Sequence, residues 1–167
     1  ATITASDYDY SYSNNTNVGT ATVTITAKGN YTGSVSRTFT IAKAPAPSIT
    51  YPTASGITYG QKLSASALSF SSTEYGTFAW TNGNAVPTVS NSGYEVTFTP
   101  NANTTANYEA ITGTTHTVAI TVSKATPAVT VNAVVSDDAG SRKAILTATV
   151  TGAGDGENPT GTVKFVS

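Results

Sequence analysis

The 167 residues include 8 basic and 9 acidic side chains, for a net charge of −1 with only 10% of residues charged. That balance offers no basic stripe for phosphates or anionic lipid, which excludes nucleic acid and polybasic membrane attachment. With no cysteine and one histidine there is no disulfide, thiolate metal site or cysteine nucleophile, and no apolar run approaches the 18 residues of a membrane span.

Taken in chain order, the first pattern is Asp7–Tyr12, where Tyr8, Tyr10 and Tyr12 fall on one face of a strand with Asp7 and Asp9 opposite. Tyrosine joins a flat apolar ring to a polar hydroxyl, so this face is a candidate site for stacking on a sugar. The competing expectation is that two of the three rings pack into a core. Ala21, Val23 and Ile25 then alternate with threonine, and Lys28-Gly29-Asn30 reads as a turn. Lys43-Ala44-Pro45-Ala46-Pro47 reads as a short, stiff linker in polyproline geometry. Phe78-Ala79-Trp80 is a strand with Trp80 facing a core, and Thr81-Asn82-Gly83-Asn84 after it reads as a tight hairpin. Tyr94, Val96 and Phe98 share a face, Asn101–Asn107 reads as a polar loop, and Val118, Ile120 and Val122 form the next apolar face. Beyond Lys124-Ala125-Thr126-Pro127, Leu146, Ala148 and Val150 alternate with threonine before the turn at Gly152–Gly156.

Threonine (33 residues) and serine (18) supply the outer faces of these strands, where β-branched threonine fits a pleated, half-exposed surface. No segment sustains a 3.6-residue period. The predicted fold class is all-β, built of tandem small antiparallel β-sandwich (Ig-like) repeats with essentially no helix.

The phrase Thr-Val-Thr-Ile-Thr, Gly29-Asn30-Tyr31, Phe39-Thr40-Ile41-Ala42-Lys43-Ala44 returns as Glu-Val-Thr-Phe-Thr, Ala106-Asn107-Tyr108, Ile120-Thr121-Val122-Ser123-Lys124-Ala125. Lys43 and Lys124 lie 81 residues apart, the length of one small sandwich domain. Residues 1–43 therefore read as the C-terminal half of a repeat, 44–124 as a complete repeat and 125–167 as the N-terminal part of a third. Halves of this size are short for an independent core, so head-to-tail self-association through them is one expectation. With no methionine at position 1, the expectation is also that the chain is an internal piece of a longer precursor.

Ile57-Thr58-Tyr59-Gly60-Gln61, with Phe98-Thr99-Pro100 and Asn107-Tyr108, resembles the MBG-type repeat (Tyr-Gly-X signature) of large surface proteins of gut Firmicutes. The Asp7–Ile25 stretch, continuing to Gly33, resembles a repeat common in the same proteins. Leu146–Gly152 and Pro159-Thr160-Gly161-Thr162-Val163-Lys164-Phe165 resemble the start of a bacterial Ig-like repeat. These resemblances imply an adhesin or stalk module of a secreted, wall-attached protein at the bacterial cell surface. Its partners would be neighbouring repeats and a host glycan or protein.

Chemistry-bearing residues are sparse. The one histidine, His116, is in phase with Val118 and Ile120 and reads as structural; there is no Gly-x-Ser-x-Gly elbow, so no catalytic residues and no enzyme are expected. Asp137, Asp138, Asp155 and Glu157 are the densest acidic spots and would be candidate calcium ligands if their two turns met at one end of a sandwich. No other cofactor is expected. The functional expectation is a structural or adhesive spacer, with carbohydrate or host-protein binding through Tyr8, Tyr10 and Tyr12 as the alternative.

Overall fold

The computed structural model describes residues 4–138 and 140–166, excluding the Asp138 side chain. The protein is all-β, with several antiparallel sheets and very little helix. By contacts the chain gathers into two units. One joins Ala1–Ile49 with Thr73–Thr77 and Thr99–Gly113; the other joins Thr50–Ser72 with Phe78–Phe98 and Thr114–Ser167.

In the first unit, β1 (Tyr8–Ser13), β2 (Gly19–Ala27) and β3 (Ser34–Ile41) form a three-stranded antiparallel sheet in that order. The register sets Tyr10 opposite Ile25 and Ile25 opposite Val35, with Tyr12 opposite Val23 and Ala21 opposite Phe39. Directly paired residues share a face, so one face is apolar and aromatic while the other carries Asp9, Ser11, Thr22, Thr24, Ser36 and Thr38. On the polar face Thr24 and Ser36 hydroxyls lie 2.8 Å apart, and Lys28 pairs with Asp9 at 2.7 Å in an exposed ion pair.

The core sits in the second unit. In chain order, β4 (Ile57–Thr58) is a short strand, and β5 (Ser72–Thr73), β6 (Gly76–Trp80), β7 (Tyr94–Pro100) and β8 (Thr115–Val118) form a four-stranded sheet in that order. Val96 and Phe98 from β7 and Val118 from β8 are buried, as their alternation predicts. Phe78 packs on Phe98 with ring centroids 4.9 Å apart, and on Phe70 at 5.5 Å. The unbroken alternation over 118–122 suggests one strand, but the chain changes partner there. β8 is antiparallel to β7, whereas β9 (Val122–Ser123) runs parallel to β4. Periodicity keeps its phase through the change because both sheets bury the same side, and Ile57, Leu63, Ile120 and Val122 form one cluster. Trp80 lies against that cluster and donates its indole N–H to the Ser66 carbonyl at 2.9 Å.

Two local expectations are corrected. Thr81–Asn84 does turn, but Gly83 does not take positive φ and no hairpin closes there. The turn instead docks on Leu63–Ser64, with Ser64 N–H on Gly83 O at 2.8 Å and Leu63 N–H on Ala85 O at 2.7 Å. The expected polar loop at 101–107 contains an α-helix, α1 (Ala102–Asn107), because Asn101 caps it by accepting the Thr104 N–H at 2.8 Å.

Beyond Lys124 come β10 (Ala128–Asp138) and β11 (Ser141–Thr151), a long antiparallel hairpin. Val129, Val131 and Val135 share one face with Leu146 and Val150. Several of these apolar side chains stand in the open, Val131 being 60% exposed.

Candidate functional site

The tyrosines lie on the apolar face of the β1–β3 sheet, and the expectation that two of them pack into a core fails. Tyr10 is 66% and Tyr12 52% exposed, while Tyr8 is only half-buried. Their rings are ordered all the same. Tyr10 and Tyr12 meet edge to face at 5.9 Å, and Tyr12 meets Phe39 at 6.4 Å. Towards one end of this face lies an open cleft of about 420 Å³, lined by Tyr8, Ile25, Tyr31 and Val35. Asp7 stands at its rim. Its carboxylate accepts the Thr4 backbone N–H at 2.8 Å and the Thr4 hydroxyl at 2.9 Å. These bonds, the backbone one foremost, hold its pKa below the usual aspartate range. A depressed folded pKa stabilises above the unfolded value and loses that contribution as pH falls through the folded one. The Asp7 carboxyl should therefore titrate by NMR below the ordinary value of about 3.9, with the Thr4 amide shift following it. A midpoint at the ordinary value would remove the cap.

The acidic residues are not brought together. Asp137 is at the tip end of the β10–β11 ladder, opposite Arg142, whereas Asp155 and Glu157 follow Thr151 at its other end. Eleven paired residues at about 3.3 Å each hold the two turns roughly 30 Å apart. Asp137 pairs with Arg142 at 3.7 Å and Asp155 with Lys62 at 3.5 Å. The Asp138 side chain lies outside the described residues. Among those described, no three His, Cys, Asp or Glu side chains form a group able to hold a metal ion.

His116 is exposed rather than enclosed, stacked on Tyr51 with centroids 4.8 Å apart. Burial raises the Tyr51 phenol pKa. No helix among the described residues is long and apolar enough to cross a membrane.

What sequence reasoning missed lies at the two Lys-Ala marks. Within the first unit, α1 binds both strands of chain beside it. Asn107 Oδ1 accepts the Val18 N–H at 2.9 Å, Asn107 O accepts the Ala44 N–H at 2.9 Å, and the Lys43 ammonium donates to Thr105 O at 2.9 Å. Ala44 and Tyr108 form a parallel bridge, closed by the Glu109 N–H on Ala44 O at 2.8 Å. Asn101 and Thr104 anchor the helix in turn, both donating to Tyr75 O. The negative charge of Glu74 raises the Tyr75 pKa.

Within the second unit, the Tyr59-Gly60-Gln61 signature grips the turn that follows β11. The Tyr59 hydroxyl accepts the Glu157 N–H at 2.9 Å, Gly60 O accepts the Asp155 N–H at 2.8 Å, and Lys62 reaches Asp155. Gly60 has φ +93°, and a β-carbon there would collide with the Ala153 carbonyl. Asn107-Tyr108 in the second copy of the phrase and Tyr59-Gly60 ahead of that copy were the available signals, but pairing over 89 and 98 residues leaves no local pattern.

A scan against protein-family models, a search of curated proteins and a search of solved structures each return no match.

Proposed function

We propose that the protein is a non-catalytic spacer made of MBG-like and Ig-like β-sandwich repeats, working in a secreted protein of the bacterial cell surface. One observation carries the reading: each Lys-Ala junction has its own hydrogen-bonded latch, α1 at Lys43-Ala44 and the Tyr59-Gly60 grip beyond Lys124-Ala125. Neighbouring domains ordinarily move relative to one another unless something fixes them. A spacer that must hold another domain at a set distance needs fixed junctions. The threonine- and serine-rich outer faces and the low charge suit a solvated module that adds no field of its own.

The chain has no native cysteine, so paired spin labels can be placed cleanly at exposed Glu95 and Thr147, either side of the second junction. A locked junction gives a single narrow distance distribution. A broad one, of the kind a flexible linker produces, would overturn the spacer reading. The exposed, edge-to-face Tyr10–Tyr12 pair favours a second reading, binding of carbohydrate or host protein. Saturable binding on a glycan array, lost in Tyr10→Ala, would establish it; no saturable signal would leave the spacer alone.

A further inference from the structure

The apolar face of the β1–β3 sheet has a finished counterpart in the same chain. In the repeated phrase Ile25 holds the place of Phe98, and Phe39 that of Ile120. Phe98 and Ile120 are 1% and 8% exposed, whereas Ile25 and Phe39 are 40% and 43% exposed. The residues that finish the middle core come from early in its own repeat, soon after Lys43. Ile57 and Leu63 join Ile120 and Val122, and Tyr51 meets Phe78 edge to face at 5.4 Å. The stretch at the same place after the second mark, Lys124, is the β10–β11 hairpin. That hairpin has an open apolar face too, with Val129 58% and Leu146 46% exposed. Both apolar faces, that of the β1–β3 sheet and that of the hairpin, are thus exposed among the described residues.

We propose that the β10–β11 hairpin of a second copy closes the β1–β3 face, so that copies join head to tail. This goes beyond the spacer reading, which concerns junctions inside one chain, and is independent of it. The chemistry of the two faces agrees. Both are apolar along alternate positions, and packed sheet faces interdigitate such residues. Arg37 stands on the β1–β3 face between Val35 and Phe39, and its one described hydrogen bond is to the neighbouring Ser36 carbonyl. Asp137 continues the hairpin face beyond Val135, and its carboxylate, paired within the hairpin only with exposed Arg142 at 3.7 Å, is one that Arg37 would share. Tyr10, Tyr12 and Phe39 alone expose roughly 300 Å² of side chain at ordinary aromatic areas. With the aliphatic residues of both faces the contact approaches about 1,000 Å², the lower bound of a specific interface, so each link is weak and assembly follows concentration. Two different faces meet, which makes the contact heterologous and lets it propagate rather than close at a pair.

The test is sedimentation velocity on the full chain across a roughly hundredfold concentration range, where mass action makes association visible. The wild-type mass average should climb past the dimer. Val35→Glu on the sheet and Val131→Glu on the hairpin should each give monomers alone. Mixed, they should give a dimer and nothing larger, because each retains one intact face. Trp80 fluorescence, which reports the middle core, should be unchanged in both, and Phe39→Ser is a milder sheet variant should Val35→Glu disturb the strand. A wild type monomeric throughout would overturn the proposal. So would association that survives Val131→Glu, which would mean that two β1–β3 faces pair with each other. Neither result touches the spin-label distances, so the spacer reading would stand or fall separately.

Discussion

Phe98→Ala should cost the second unit about 3–5 kcal/mol, the usual range for removing a buried aromatic ring. Phe98 is almost wholly enclosed, with Phe78 packed against its ring. Small domains are stable by only about 5–15 kcal/mol, so the variant would stand near the edge of unfolding. Ile25→Ala removes a side chain at the same place in the repeated phrase. It leaves a much smaller void, because Ile25 already faces solvent, and should cost about 1 kcal/mol or less in dilute solution. Urea unfolding followed by Trp80 fluorescence reads the first variant, and amide exchange across β2 and β3 reads the second. Equal losses at the two positions would mean that the β1–β3 face is covered in solution by the same chain.

These two residues also mark how far the fold can be read from the sequence. Alternation placed Ile25 and Phe98 on apolar strand faces equally well, since period two reports which side a residue faces. It cannot report whether anything lies on that side. The strands containing Val96, Phe98 and Val118, and those containing Leu146 and Val150, were legible for the same reason. The change of partner between β8 and β9 was not, because Val118, Ile120 and Val122 keep one phase through it. Asn82-Gly83 was misread because a turn pair was taken with its commonest geometry, whereas docking on Leu63–Ser64 selects another. α1 was hidden because alanine, asparagine and threonine give no amphipathic stripe; what starts it is the Asn101 cap and what fixes it is Tyr75 and Ala44. The candidate site was legible as three tyrosines on one face, but its openness depends on what the chain leaves uncovered. The calcium candidates failed on topology: turns at opposite ends of an eleven-residue ladder cannot share an ion.

Gly60→Ala should release the turn that follows β11. Two separate costs act at this residue. Its φ of +93° lies where an L side chain is strained, at about 1–3 kcal/mol. A β-carbon would also overlap the Ala153 carbonyl, and one on Gly154 (φ +53°) would overlap Gly60 O, so the two backbones meet at a pair of glycines with no room on either side. The turn must then move away and give up the Asp155 N–H bond to Gly60 O and the Glu157 N–H bond to Tyr59. Each is worth about 0.5–1.5 kcal/mol net. The total loss should be about 2–6 kcal/mol, with fast amide exchange at Asp155 and a broadened Glu95–Thr147 label distance. Gly83→Ala is the matched control. Gly83 sits in the more obvious turn sequence, Asn82-Gly83, yet lacks positive φ, and an added β-carbon meets only Ser64 Cβ at 3.5 Å, an ordinary contact. It should be nearly neutral and leave the label distance narrow. The contrast separates backbone strain from glycine content, and it gives the Tyr59-Gly60 pair a mechanical role: tyrosine supplies the acceptor, and glycine supplies the clearance for the turn that follows β11. If Gly60→Ala behaves as Gly83→Ala does, the turn is not held there and the junction is a hinge.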